Sequence, residues 1–233
     1  SLETEFRFDA SYELLVEDST FNYDIFRIYP PLQPGDSIQF EFALSNAPNE
    51  LLRNNSPVIA NGTFLNNGIL PRIGYNPAGE LIGPESRKKF DLPPRDRMPD
   101  PMDSLARMNN YISYDADWID FETIISTESD QIAIAPGYLE KEWTENDRKY
   151  FHYKMDAPIL NFYSFISAEF AVQEDYWIRE NGDTVAIEVY HHPGHDFNIN
   201  RMIQGIKKAL DYGSQAFSPY QHRQVRIIEF PRT

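Results

Sequence analysis

Apolar and polar residues alternate with a period of two through much of this chain, which sets one face of a strand on a core. The pattern is clearest at Ile38, Phe40, Phe42 and Leu44, which alternate with Gln39, Glu41 and Ala43. Before it stands Gln33-Pro34-Gly35-Asp36, with Pro and Gly suited to the central positions of a type II turn. The spacing predicts a hairpin of residues 24–32 and 37–44. A second hairpin is expected from Val58-Ile59-Ala60 through Asn66-Asn67-Gly68 to Ile69-Leu70, because Asn-Gly tolerates the positive φ of tight hairpins. Strands are also expected at 118–126, where Ile119, Phe121, Thr123 and Ile125 share a face, and at 131–135, 149–155 and 159–172. The last reads as two strands or one bent one. Trp177-Ile178 and the series Val185, Ile187, Val189 flank Asn181-Gly182, a third hairpin signal.

Two stretches break the alternation. Residues 76–110 hold Pro77, Pro84, Pro93, Pro94, Pro99 and Pro101 among charges, which reads as a long loop covering a neighbouring surface or a mobile segment. After Pro193-Gly194 the period lengthens: Met202, Ile203, Ile206, Ala209 and Leu210 fall on one helical face. One amphipathic helix is expected over 197–214, capped by Asp196 or Asn198, then a short strand at 225–230. The expected class is mainly β, a β-sandwich followed by a strand-helix-strand α/β segment. A lone unit of that kind leaves faces uncovered, so the sequence looks cut at Thr233.

Composition narrows the partners. Apolar residues make up 41% and aromatics 14%, enough for a sizeable core. Asp plus Glu number 36 against 21 for Lys plus Arg, a net charge of −15 that repels phosphate backbones and argues against nucleic acid. There is no cysteine, hence no disulfide, thiolate metal site or cysteine nucleophile. No apolar run reaches the roughly eighteen residues of a membrane span, and Ser1-Leu2-Glu3 does not open a signal peptide. The missing initiator Met suggests a cloned piece of a longer protein.

Candidate chemistry is sparse. His191-His192-Pro193-Gly194-His195-Asp196 carries imidazoles and a carboxylate that can bind zinc. Neighbours at a strand end point to opposite faces, however, and Pro-Gly reads as a turn, so a polar turn is expected. Asp115, Asp117, Asp120 and Glu122 lack calcium-loop spacing and read as a solvated strand face. Arg87-Lys88-Lys89 and Lys207-Lys208 read as solvated faces, and Asn61-Gly62-Thr63 as turn chemistry although it fits a glycosylation sequon. Tyr111, Tyr114 and Trp118 suit a sugar platform or, more commonly, core packing. There is no G-x-S-x-G elbow, no Gly-rich phosphate loop and no H-E-x-x-H. No catalytic or metal-ligating residue is expected in this chain, and no substrate-binding residue can be named.

Several segments, taken in order, resemble the aminopeptidase-N family of zinc metallopeptidases, especially bacterial members fused to ABC-transporter permease segments. They are Gln33 to Ser37, Asn61 to Phe64, Pro71 to Tyr75, Ile125 to Thr127, Asp130 to Gly137, Ser167 to Phe170, Val189 to His195 and Phe217 to Tyr220. The family's Phe-Pro-Cys-x-Asp-x-Pro segment has no counterpart here, where residues 76–110 intervene.

The resemblance implies that residues 1–172 form the family's N-terminal β-sandwich, or saddle, and that 173–233 begin a thermolysin-like catalytic domain. The H-E-x-x-H zinc ligands, and with them the zinc cofactor, would lie beyond Thr233. The implied role is non-catalytic: packing against the catalytic zinc domain of the same polypeptide and walling its chamber for peptide substrates. The fused branch further implies membrane spans elsewhere and a periplasmic position. The alternative is a free-standing β-sandwich module for adhesion or binding of a sugar or protein ligand.

Overall fold

The computed structural model describes residues 2–21, 23–46, 58–59, 62–74, 80–95, 99–104, 106–108 and 117–230. The strands are β1 (Leu2–Phe8), β2 (Ser11–Asp18), β3 (Tyr23–Tyr29), β4 (Phe40–Asn46), β5 (Val58–Ile59), β6 (Gly62–Asn66), β7 (Trp118–Ile119) and β8 (Glu122–Glu128). They continue as β9 (Ile132–Ile134), β10 (Tyr138–Glu145), β11 (Arg148–Lys154), β12 (Ile159–Leu160), β13 (Ser164–Ala168), β14 (Ala171–Ile178), β15 (Thr184–His191) and β16 (Gln224–Ile228). Helices α1 (Pro84–Lys89) and α2 (Ile199–Ala216) complete the set. The class is mainly β, as expected, with one long helix. The chain divides into two compact units, the first formed by residues 1–51, 67–119 and 160–162 and the second by 52–66, 120–159 and 163–233.

In the first unit β1 pairs antiparallel with β4, and β2 with β3. Inward positions of these ribbons meet as aromatics: Phe6 and Phe26 lie 5.0 Å apart, Phe8 and Phe40 5.0 Å, and Phe8 and Tyr12 5.3 Å. Aromatic pairs of this kind add about 0.5–1.5 kcal/mol each beyond their buried area. The Gln33–Asp36 turn forms as expected, with Asp36 N donating to Gln33 O and Gly35 at φ +96°. The expected hairpin of 24–32 with 37–44 does not form. Asp9 and Gln39 exchange hydrogen bonds, so the β1–β4 ladder encloses the β2–β3 hairpin instead. Alternation marks a strand but does not choose its partner.

The Pro-rich stretch contains more order than a loop. Glu80 to Pro93 folds around Arg87, which donates to Pro93 O at 2.7 Å and Leu81 O at 2.9 Å and pairs with Glu80. Arg87 is therefore a partly buried pin and not part of a solvated face, while α1 starts on Pro84 as the missing N–H of Pro permits.

In the second unit β5, β6, β13 and β9 form one sheet and β10, β11 and β8 another. Ala133, Ile134, Phe151, Tyr153, Ile166 and Ala168 are buried in this part of the unit. Strand β5 pairs antiparallel with β6, Val58 opposite Thr63 and Ile59 opposite Gly62, so the expected hairpin turn at Asn66-Asn67-Gly68 is corrected. Asn67-Gly68-Ile69, which belongs with Asn161 to the first unit, is a 3-10 turn, with Asn67 Nδ2 donating to Asn161 O at 2.8 Å. The 159–172 stretch resolves into separate strands, and the Asn181-Gly182 hairpin joins β14 to β15.

Strand β15 then runs through α2 into β16, which lies parallel to it. Val185, Ile187 and Val189 are buried at every second position, and Ile187 and Val189 pack with Ile199 and Ile203 of α2. Burying each such side chain contributes about 1.5–3 kcal/mol. The helix spans 199–216 where 197–214 was expected; Asn198, one of the two expected caps, is the N-cap, in a left-handed conformation and without a side-chain cap bond.

Candidate functional site

The other face of β15 carries polar groups and is partly buried. Glu188 and Tyr190 stand there, and the register sets Arg226 of β16 directly beside Glu188. Arg226 Nε lies 3.2 Å from Glu188 Oε2, and Tyr190 donates its hydroxyl to the same oxygen at 2.9 Å. The remaining guanidinium nitrogens reach across to the turn between β9 and β10, where Ala135 O accepts at 2.8 Å and Gly137 O at 2.7 Å. Gln224 Nε2 donates to Gly137 O as well, at 2.7 Å. The guanidinium sits 5.1 Å from the centre of the Tyr153 ring, whose hydroxyl donates to Ala133 O.

One arginine thus satisfies two carbonyls that no ladder uses and neutralises a carboxylate that burial would otherwise penalise. Burial pushes the Tyr153 hydroxyl up to about 12, and burial with the nearby Glu188 charge raises Tyr190 further. Both phenols remain protonated donors at neutral pH.

Gly137 makes the seam possible. Its φ is +100°, and a Cβ there would stand 2.7–2.9 Å from backbone atoms of Lys154. Beside it Arg223 stacks on Tyr138, guanidinium carbon to ring centre 3.7 Å, and pairs with Asp156.

At the carboxyl ends of β15 and β16 the histidine group forms a turn, as the Pro-Gly signal predicts: His195 N donates to His192 O at 2.9 Å. A residue that sequence reading missed, Glu229, fastens it. Glu229 Oε2 accepts from His192 N at 2.6 Å, Oε1 meets His195 Nδ1 at 2.6 Å, and Glu229 N donates to Tyr190 O. Burial pushes the Glu229 carboxyl up, but the His192 N–H and the His195 ring outweigh it and hold the group below its ordinary range. His191 turns its Nδ1 to His192 O, and Asp196 takes no part in the Glu229 contacts.

The other candidate residues separate. Glu122 is engaged by His152 at 2.7 Å and Lys154 at 3.0 Å, which lower its pKa, while Asp117 and Asp120 stand exposed. Lys207 pairs with Asp175 at 2.8 Å. Trp118 is exposed, and Asn61, Tyr111, Tyr114 and Asp115 lie outside the described residues. A cavity of about 300 Å³ opens at the end of α2, lined by Leu210, Ser214, Phe217 and Tyr220 among others. Among the described residues no group of three His, Cys, Asp or Glu side chains is placed to hold a metal ion.

The missed residues had a signal. Glu188 interrupts the Ile187–Val189 run and Arg226 interrupts Val225–Ile227, a charge of each sign inside two apolar strands. Such charges persist in a core only when paired.

No family model and no curated protein matches this chain. Solved structures do. The fold is similar to that of a two-domain M1 zinc metallopeptidase mutant bound to L-tryptophan, with TM-score 0.61 and 12% identity, over 100% of this chain and 48% of that one. It is similar to an M1 zinc metallopeptidase from Deinococcus radiodurans, with TM-score 0.60 and 11% identity, over 100% and 47%. A mutant of the latter bound to a Tyr-Ser-Ala substrate gives TM-score 0.57 and 11% identity, over 100% and 49%. At these identities the likeness is one of fold. The chain spans about half the length of the structures it matches.

Proposed function

We propose that this chain is the N-terminal, non-catalytic part of an aminopeptidase-N-like zinc metallopeptidase, packing against the catalytic zinc domain and walling its peptide chamber. The observation that carries the reading is alignment over the whole chain with just under half of M1 zinc metallopeptidases. In this reading residues 1–172 form the saddle and 173–233 open the catalytic domain. The Arg226 seam ties strands β15 and β16 of the second segment to the β9–β10 turn of the first.

The donor set here does not fit the catalytic zinc of such an enzyme. The sequence has no H-E-x-x-H, and no three-ligand group occurs among the described residues, so the hydrolytic step is assigned to the rest of the parent. The permease-fused branch would place the domain outside the cytoplasm and requires membrane helices outside this chain. No helix among the described residues is long and apolar enough to cross a membrane.

The test is hydrolysis of amino-acid anilides by the chain alone and by the polypeptide extended along its reading frame through the next domain. The chain alone is expected to be inert and the extended protein active until a chelator is added. Chelator-sensitive turnover by the chain itself, lost on mutating one of its residues, overturns the reading. So does an extended frame that carries no peptidase domain while the isolated chain binds a defined glycan or protein.

A further inference from the structure

We propose that the His192–His195 turn binds one divalent transition-metal ion through the two imidazole Nε2 atoms. A carbonyl or carboxylate oxygen only accepts at neutral pH, so a ring nitrogen facing one must carry the hydrogen. His192 Nδ1 lies 2.8 Å from Pro193 O, and His195 Nδ1 lies 2.6 Å from Glu229 Oε1. In both neutral rings the lone pair is therefore on Nε2, the tautomer that ligates metals through that atom.

The rings are close: their centroids are 5.1 Å apart with planes inclined at 43°, a separation compatible with two imidazoles bound to one ion through N–metal bonds of about 2.0–2.1 Å. The backbone beneath them is already held, by the His195 N–His192 O bond and by Glu229, which is itself anchored to Tyr190 O. Binding therefore orders little that is not ordered beforehand. A carboxylate on the far nitrogen of a ligating histidine is the usual outer-shell partner, and it raises ligand basicity.

Charge favours a cation on balance. Glu229 and Asp196 are the acidic groups of this turn and its neighbouring strand end, in a chain of net −15, against the positive end of α2 that begins at Ile199. With no third protein ligand among the described residues, water completes the coordination, and ions high in the Irving–Williams order, Ni²⁺ and Cu²⁺, are the ones expected. His191 lies one residue earlier, on the opposite side of the strand, and is not expected to ligate.

The experiment is calorimetric titration of the untagged chain with NiCl2, with uptake followed as pH falls. One ion per chain is expected, released as the imidazoles protonate. His192→Gln and His195→Gln should each weaken binding about tenfold or more, and Glu229→Gln by about 10- to 100-fold. His191→Gln and His152→Gln should leave binding unchanged. In the unmutated protein, Ni²⁺ should broaden amide resonances around residues 192–195 and 229 first, a readout that does not depend on any variant folding. Absence of saturable uptake, uptake indifferent to both His192→Gln and His195→Gln, or broadening centred elsewhere overturns the site.

Discussion

Strands β2 and β15 are both eight residues long and both rich in aliphatic side chains, yet they end in opposite environments. In β2, Leu14, Leu15 and Val16 are 46%, 42% and 44% exposed, whereas Val185, Ile187 and Val189 of β15 are essentially sealed. The difference lies in what surrounds them. β2 belongs to a two-stranded ribbon with a register irregularity between Leu14 and Val16, and β15 is flanked by strands on both edges and covered by α2. Strand composition supplies apolar surface, but only a further layer removes that surface from water. The first unit is held by aromatic contacts between ribbons, while the second has an aliphatic core and a buried polar seam.

That contrast can be broken most forcefully at the two turn glycines. Gly137→Ala should destabilise by about 4 kcal/mol, from the left-handed conformation plus collision with the Lys154 backbone. Gly35→Ala, at φ +96° with open space around it, should show only the conformational part, about 1 kcal/mol. Urea denaturation measures both, and equal effects would mean that the seam turn is no tighter than the ribbon turn.

A smaller gap separates the aliphatic positions. Ile187→Ala should cost about 3 kcal/mol through the cavity it leaves, and Leu14→Ala less than about 1 kcal/mol. A large loss at Leu14 would show that β2 is covered in solution.

Arg226→Ala should follow at roughly 2–3 kcal/mol, because Glu188 and the Ala135 and Gly137 carbonyls lose their donor. In a catalytically competent parent the same variant should lower the melting temperature without abolishing zinc uptake, if the seam is a joint and not part of the metal chemistry.

A modest, charge-dependent effect is expected at Glu229. Its folded pKa is lowered from 4.5, so its stabilisation is present above that pH and is lost as pH falls through the folded value. Glu229→Gln should therefore cost about 1 kcal/mol at pH 7, after allowing for solvent screening at a partly exposed site, and progressively less as pH is lowered below 4.5. A difference that does not change between those pH values would assign the effect to shape and not to charge.

Much of the second unit was legible as alternation and turn chemistry. The Asn181-Gly182 hairpin and the face of α2 carrying Ile203 and Leu210 follow from spacing, whereas the single strand expected at 118–126 is two strands, β7 and β8, that join different sheets. Three strands were not seen. Glu and Arg interrupt Leu2–Phe8, β2 lacks a clean period, and Tyr138–Glu145 carries four charged residues among eight. Each owes its strand state to ladder partners, β4, β3 and β11, that lie far away in sequence or across a turn. Glu229 was invisible for a related reason: it meets the histidine turn from 34 residues away through the β15–β16 register.

By itself the sequence determined a mainly β chain with one long helix, the turn at His192–His195, and the absence of thiol chemistry and of an H-E-x-x-H motif. Those are local properties: residue identity, periodicity of two or 3.6, and the φ tolerance of Gly and Asn. Tertiary structure decided which strand pairs with which, that Arg87 and Arg226 are partly buried pins, and that Glu229 reaches His192 and His195. These depend on distance between residues remote in the chain, and alternation is the same whichever neighbour a strand takes.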